Sequence, residues 1–319
     1  MVTFTRTSRW ICSDWRALRV WDLLALLLIL CVASQAYAAA SSQKTFATPE
    51  EAADALVRAV KSHDRAATLA VLGNAGDWIS SGDAAADRST TERFVTEYDV
   101  KHSIVREGGK ATLNIGAEDF PFAFPLVRSG EQWRFDTASG KIELLWRRVG
   151  ANELGAIKVL QAIVDAERDY ASEDRNGDGV LAYAQKFASS PGKRDGLYWP
   201  ANAGEPESPL GVLVAQAAGE GYKKAEPRTP YHGYYYRMLK GQGRSAEAGA
   251  FDYVVRGRGI AGFGVVAYPA KYGNSGIMTF IVNRDGRIYQ SDLGKETRTK
   301  AEAMQRFDPG KGWTTVDVK

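Results

Sequence analysis

The chain has 319 residues, of which 41 are lysine or arginine, 38 are aspartate or glutamate and only 2 are cysteine. Both cysteines, Cys12 and Cys31, lie within residues 1–38, so the chain that follows contains neither disulfides nor thiolate metal sites. Removing that segment takes away more arginine than acid and leaves a nearly neutral chain without a basic stripe, which argues against nucleic-acid binding.

The N-terminal segment has the three parts of a cleavable signal peptide. Arginines precede a short apolar stretch at 23–33, and Ala36 and Ala38 supply the small residues that a signal peptidase requires. The apolar stretch is shorter than the roughly 20 residues that cross a bilayer. We therefore expect a signal peptide at 1–38, a polar spacer at 39–45, a periplasmic or secreted location, and no transmembrane segment after cleavage.

Residues 46–140 are predicted to form an N-terminal α+β domain. Thr48 and Glu51 form a capping box that starts a helix, and Gly73 ends the next helix. A third helix is expected at 89–98. Alternating apolar residues then predict short antiparallel strands at 102–106, 111–115, 120–127 and 132–136.

Residues 141–319 are predicted to form a C-terminal α+β domain that begins with a long helix. Apolar residues keep a helical spacing as far as residue 172, and Gly150 is expected to divide this stretch into two helices. A short helix at 210–218 follows. The later strands are predicted at 233–239, 251–255, 263–268, 277–283 and 287–291, and Asp285-Gly286 is typical of a hairpin between the last two. The fold class is α+β, with a helix packed on a C-terminal antiparallel sheet.

Several short segments of the second half form a recognisable set. They are 153–157 (ELGAI), 170–174 (YASED), 196–199 (GLYW), 233–236 (GYYY), 272–276 (YGNSG) and 279–283 (TFIVN). On these segments the chain resembles an exported bacterial family, domain of unknown function 2950 (DUF2950). The resemblance covers nearly all of the chain after residue 38. It implies export and supplies no reaction.

Two further likenesses rest on the order of elements. The helix at 156–170, followed by a loop and a sheet, looks like the globular head of pilins and pseudopilins, although residues 46–150 stand where those proteins place their apolar export helix. The helices and meander of the first half resemble the nuclear-transport-factor-2-like cone. Each likeness implies a fold and leaves the function open.

Residues 174–179 begin as a calcium-binding loop does, with oxygen-bearing side chains at positions 1, 3 and 5 and glycine at position 6. The candidate ligands are Asp174, Asn176, Asp178, the carbonyl of Val180, and Gln185. Gln185 stands at position 12, where such loops place a bidentate glutamate. Two interpretations stay open: a calcium site that orders the loop, and a polar turn that needs no ion.

The first half offers one candidate ligand pocket. His102 begins a strand, and one interpretation places it inside the cone with Trp78, Asp99 and Trp133. The alternative is a structural histidine. The sequence has no serine elbow, phosphate loop or dinucleotide-binding glycine motif, so we assign no catalytic residue.

Other aromatic and acidic residues are expected to be structural. Trp146, Tyr170, Tyr183 and Trp199 are predicted to pack between the two halves rather than to stack on a ligand. Among the acidic residues of the long helix, Glu167 is the one expected to turn inward, while the others form a solvated face.

The sequence therefore predicts an exported envelope protein that binds or assembles without catalysis, with an envelope protein or a small ligand as partner. One alternative is a small-molecule-binding or acid-base pocket in the N-terminal domain. Another is a structural module stabilised by calcium, the one cofactor that the sequence suggests.

Overall fold

The computed structural model describes residues 43–73, 76–202, 204–222 and 229–317, so the predicted signal peptide and residues 39–42 of the spacer lie outside the described residues. Six α-helices are present in the described part of the chain. They are α1 (Pro49–Lys61), α2 (Arg65–Leu72), α3 (Ala84–Val100), α4 (Thr137–Ala171), α5 (Gly211–Gly219) and α6 (Thr297–Ala303). Two 3-10 turns, Gly76–Ile79 and Gly294–Glu296, complete the helical elements there.

The strands of the described residues form three sheets. They are β1 (His102–Glu107), β2 (Lys110–Ile115), β3 (Phe120–Pro121), β4 (Leu126–Ser129), β5 (Gln132–Phe135), β6 (Tyr234–Leu239), β7 (Gly241–Gln242), β8 (Phe251–Asp252), β9 (Gly264–Pro269), β10 (Met278–Asn283), β11 (Tyr289–Asp292), β12 (Arg306–Phe307) and β13 (Thr314–Thr315). With helices and antiparallel sheets in both halves, the predicted α+β class is confirmed.

The N-terminal sheet has the order β1-β2-β4-β5, with β3 paired to β2, and every pair is antiparallel. Strand β2 packs one face against a core. Ala111, Leu113 and Ile115 are buried while the residues between them are not, because successive side chains of a strand point to opposite faces. Helix α1 contributes Leu56 and Val57 to the same region. The first core thus lies between the helices and one face of the sheet.

Side chains at the helix starts explain where the helices begin. Thr48 Oγ1 accepts the N–H of Glu51, as the capping motif predicted, while the Glu51 carboxylate accepts the N–H of Ala47. Three aspartates cap the starts of α2, α3 and α4 in the same way, because each side chain accepts a backbone N–H of the first turn. They are Asp64, Asp83 and Asp136.

The C-terminal sheet has the order β13-β11-β10-β9-β6 and is antiparallel throughout, whereas a smaller sheet, β12-β7-β8, contains one parallel pair. Strand β9 is buried at all six residues because both of its faces are covered. Val265 and Ala267 belong to the core beside α4, and Val266 and Tyr268 belong to the core beside α6. This alternation makes β9 the centre of the second half.

Helix α4 runs through both halves. Its 35 residues extend about 52 Å at 1.5 Å per residue. Leu144 packs on the N-terminal core, while Leu160 and Ile163 lie in the C-terminal core. The prediction that Gly150 divides the helix is wrong, because packing at both ends outweighs the roughly 1 kcal/mol that one glycine costs a helix. The division into domains at residue 140 stays a prediction.

Polar contacts join the halves beside α4. The Asp83 carboxylate caps α3 and accepts the Tyr222 hydroxyl at 2.8 Å and the Gly233 N–H at 3.0 Å. The Arg148 guanidinium donates to the carbonyl oxygens of Trp78 and Ile79 and to the side chain of Asn274. Because these groups are largely buried, the junction is fixed by specific hydrogen bonds.

Two other differences from the sequence prediction have local causes. The strand expected at 120–127 is two strands, β3 and β4, because Pro121 and Pro125 bracket the break and neither can donate a backbone hydrogen bond. Helix α6 was not predicted; it is short, and among its residues Thr297 and Ala301 are buried.

Candidate functional site

Trp78 and Trp133, two of the four residues proposed to line a ligand pocket, share the N-terminal core. The Trp78 ring stacks on the Phe124 ring with the centroids 5.7 Å apart. The backbone N–H of Trp133 donates to the backbone carbonyl of Phe46, and the two residues form an isolated antiparallel β-bridge. Both indoles therefore fill space between the helices and the sheet.

Asp99 and His102, the other two, are exposed. Asp99 forms an ion pair with Lys61 at 2.7 Å. The His102 imidazole stacks on the Tyr98 ring, with the centroids 3.8 Å apart, and its Nδ1 lies 3.0 Å from the Tyr98 carbonyl oxygen. The structure therefore places the tryptophans in one cluster and His102 on the surface, and a ligand-binding role for the four residues stays a prediction.

The loop that follows α4 is closed by its own side chains. The two carboxylate oxygens of Asp174 accept the N–H groups of Asp178 at 3.1 Å and Gly179 at 2.8 Å. The Asn176 oxygen also accepts the Asp178 N–H, and Asp178 Oδ1 accepts the N–H of Val180. Bonds of this kind stabilise a polar turn without an ion.

A positive charge also lies at this loop. Arg258 Nε donates to Asp178 Oδ2 at 3.0 Å, and Gln185 donates to the Gly257 carbonyl at 2.8 Å. Within the described ranges, no group of three or more His, Cys, Asp or Glu side chains is placed to hold a metal ion. Calcium binding at Asp174, Asn176 and Asp178 stays a prediction, and the Arg258 guanidinium opposes it electrostatically.

A cavity of about 240 Å³, which we call the polar cavity, lies beside this loop. It contains four of the five proposed calcium ligands: Asn176, Asp178, Val180 and Gln185. Its charged lining residues are Glu173, Arg175, Asp178, Lys186, Asp195 and Arg258. Burial opposes ionisation of Asp195, but hydrogen bonds from Lys186 and Ser190 lower the pKa of Asp195 to about 2. The cavity thus combines both signs of charge.

Glu167 lies behind the wall of the polar cavity and is fully buried, as expected from the sequence. Its Oε2 accepts the N–H of Ala184, a lining residue, at 2.9 Å, while its Oε1 has no hydrogen-bond partner in the described residues. Burial raises the pKa of Glu167 to about 8, and the Ala184 hydrogen bond only partly offsets this. The side chain therefore holds a proton at neutral pH.

An apolar strip, which we call the exposed stripe, lies on the first half of α4. It consists of four residues at intervals of four: Ile142, Trp146, Gly150 and Leu154. Trp146 is 74% exposed, and Ile142 and Leu154 are exposed by more than half. Residues four apart lie above one another on a helix, so Ile142, Trp146 and Leu154 form a ridge of about 18 Å in which Gly150 leaves a gap.

A groove of about 410 Å³ accompanies the exposed stripe. The lining residues are Ile142, Leu145, Trp146, Val149, Gly150, Gly273 and Ile277. All of them are apolar or glycine. Large exposed apolar patches on folded proteins include protein-binding and ligand-binding surfaces, so this groove is a candidate interaction surface.

Gly150 lines that groove, and no contact with the described residues requires it to be glycine. A Cβ atom at this position would meet no heavy atom within 4 Å. Gly155, five residues further along the helix, differs, because a Cβ there would lie 2.9 Å from the His232 ring. Glycine weakens a helix interior by about 1 kcal/mol relative to alanine. At Gly150 that cost brings no packing within the described chain.

Sequence reasoning missed most of these features. Trp146 was expected between the two halves and is exposed instead, while Tyr170 and Trp199 are buried within the C-terminal core. The four-residue spacing was visible in the sequence, but spacing does not tell which side of a helix is covered. Arg258 joins the loop from 80 residues away, and no sequence signal linked the two.

Comparison with known proteins identifies a family and no more. A family model described as protein of unknown function (DUF2950) matches residues 43–316. No curated protein and no solved structure matches the chain, so the likenesses to pilin heads and to the nuclear-transport-factor-2-like cone stay predictions. Among the described residues, no helix combines the length and the apolar character that a membrane span requires.

Proposed function

Because the chain belongs to the DUF2950 family, whose function is unknown, we propose a role from its surface: it is an exported binding module of the cell envelope that docks a helix of a partner protein. The exposed stripe and its groove are the observation that carries this proposal. An ordered helix that keeps a tryptophan 74% exposed beside an apolar groove presents surface that solvent does not favour.

The geometry of the stripe favours a helix as the occupant. Ridges of residues four apart pack into the grooves of another helix, which is the commonest class of helix packing. Gly150 interrupts the ridge with a notch, and small residues at such a position let two backbones approach closely. A flat bilayer surface does not follow a concave groove, so a protein segment fits better than a membrane.

Export is supported by residues 1–38, whose arginines, apolar stretch and Ala36-Tyr37-Ala38 ending are those of a signal peptide. We expect the protein from the envelope fraction to begin at Ala39. N-terminal sequencing of that protein checks the prediction. Recovery of the intact chain from the cytosol alone would contradict it.

Docking is tested by placing a photo-crosslinking amino acid at Trp146 in living cells. We expect a discrete adduct, and we expect mass spectrometry to locate the crosslink on an amphipathic helix of one envelope protein. Val212 is the matched control, because it is an apolar helical residue that is 73% exposed and lies outside the groove. The adduct at Trp146 should disappear when Gly150→Leu fills the notch.

Two results would contradict docking. One is the same set of adducts from Trp146 and Val212, which would indicate random collision. The other is an adduct that survives Gly150→Leu while circular dichroism shows that the variant is folded. Either result leaves export untouched, because N-terminal sequencing tests it separately.

A further inference from the structure

The polar cavity carries no excess charge. Its lining contains three basic and three acidic residues. Lys186 pairs with Asp195 at 2.7 Å and Arg258 with Asp178 at 3.0 Å, while Arg175 contacts Glu173 at 3.5 Å and also Asp169, outside the lining, at 3.0 Å. A balanced lining of this kind offers hydrogen-bond donors and acceptors together. It produces little net field and therefore favours a neutral ligand over an anion or a cation.

Buried polar atoms around the cavity have hydrogen-bonding capacity to spare. The Arg175 side chain, a lining residue, is only 9% exposed, and its Nε has no partner in the described residues. Glu167 Oε1, behind the cavity wall, and the indole nitrogen of Trp199 also have no hydrogen-bond partner in the described residues. The Trp199 ring lies 6.0 Å from the Arg175 guanidinium. Unpaired buried groups cost about 1–3 kcal/mol each. Native proteins rarely leave such groups unpaired without a reason.

The remaining features of the cavity restrict the ligand further. Its volume of about 240 Å³ is below the roughly 300–1,000 Å³ of sites for drug-sized molecules. Tyr170 and Tyr183 add aromatic rings to a lining that contains charged residues together with Val180, Ala182 and Ala184. A hydroxyl group both donates and accepts, so several hydroxyl groups on one small ring can satisfy the mixed groups of such a wall.

We propose that the polar cavity is a binding site for a small neutral saccharide. The ligand presents hydroxyl groups to the paired charges, including the Arg175 guanidinium, and its apolar ring face lies against tyrosine. This site is separate from the exposed stripe and does not depend on the docking function proposed above.

Saccharide binding is tested on the full chain after residue 38 by saturation-transfer NMR. The probes are glucose, N-acetylglucosamine and galactose, with glucosamine as a cationic probe and glucuronate as an anionic one. We expect at least one neutral sugar to bind with a roughly millimolar dissociation constant and both charged sugars to bind more weakly. Tighter binding of a charged sugar, or no signal from any neutral sugar, would overturn the proposal.

Variants show whether binding occurs in this cavity. Arg175→Lys keeps the charge and removes the planar guanidinium that lines the cavity, and we expect affinity to fall about tenfold or more. Ala182→Phe fills the cavity without removing a polar partner, so it tests the site even where Arg175→Lys lowers stability. Arg298→Lys, on the surface of α6, is the matched control and should leave affinity unchanged. Unchanged affinity in both cavity variants would overturn the proposal.

Discussion

The two halves of helix α4 both have an apolar face, but their surroundings differ. From Ala156 onward, eight residues are buried, including Glu167, whereas Gly140 is the only buried residue before that point. The second half is covered by the C-terminal sheet and by the loops that follow the helix. The first half rests on the N-terminal core and leaves the exposed stripe uncovered. Hydrophobic residues on a helix therefore show which face can pack against another element. The tertiary fold decides whether an element of the same chain covers that face.

The largest expected difference between the two halves of α4 is the pH dependence of the free energy of unfolding that the buried half causes. Because the pKa of Glu167 is raised from 4.5 to about 8, the folded protein keeps a proton that the unfolded chain releases, and stability falls as pH rises from about 4.5 to 8. The upper limit of this loss is about 5 kcal/mol. Glu167→Gln should abolish most of that slope, as measured by urea unfolding at pH 5 and pH 8.

Glu143→Gln is the control for this experiment, because Glu143 is a partly exposed residue of the same helix in an i,i+4 pair with Arg147. It should keep the slope of the unchanged protein. A slope that persists in Glu167→Gln would show that another group causes it.

A pair of leucines on α4 gives the next largest contrast. Leu160 is fully buried, and Leu160→Ala should lower the free energy of unfolding by about 2–5 kcal/mol through lost contacts and a cavity. Leu154 is 63% exposed, so Leu154→Ala should change stability by less than about 0.5 kcal/mol. Chemical denaturation measures both. Equal losses would mean that the stripe is covered within the chain itself.

Two glycines of α4 should respond in opposite directions to the same substitution. Gly150→Ala should stabilise the isolated protein by about 0.5–1 kcal/mol, since the new methyl group meets open space. Gly155→Ala should destabilise it, because the methyl group would contact the His232 ring. Thermal unfolding checks the signs. A loss of stability in Gly150→Ala would point to a packing role that the fold does not reveal.

The smallest effect concerns calcium at the loop that continues the buried half of α4. Because Arg258 donates to Asp178, we expect calcium to stabilise the unmodified protein by less than about 1 kcal/mol. The corresponding rise in melting temperature should be small. Arg258→Ala removes the competing charge and should allow a larger calcium-dependent rise. Equal responses of the two proteins would show that the guanidinium does not compete with the ion.

Local signals in the sequence predicted much of the fold. Thr48 with Glu51, and Gly73 at the end of α2, act through neighbours a few residues away, and these boundaries agree with the structure. Asp285-Gly286 correctly indicated the connection between β10 and β11, where Gly286 has a positive φ of 78°. The inward orientation of Glu167 was also expected and is confirmed.

Features set by distant parts of the chain could not be predicted in this way. Trp146 is exposed because nothing in the described chain covers that side of α4, and its own sequence neighbours carry no sign of this. The polar cavity brings together residues from 170–195 with Gly257, Arg258 and Gly259, and sequence spacing does not encode that approach. The parallel pairing of β7 with β12 has the same origin.

The continuity of α4 has a mechanical consequence. A helix embedded at both ends in close-packed cores behaves as a stiff rod, so Gly150 and Glu167 keep a separation of about 26 Å along its axis. Tilting the rod at one end requires repacking at the other. A load applied by a bound protein would therefore be borne by the whole molecule rather than by a flexible tether.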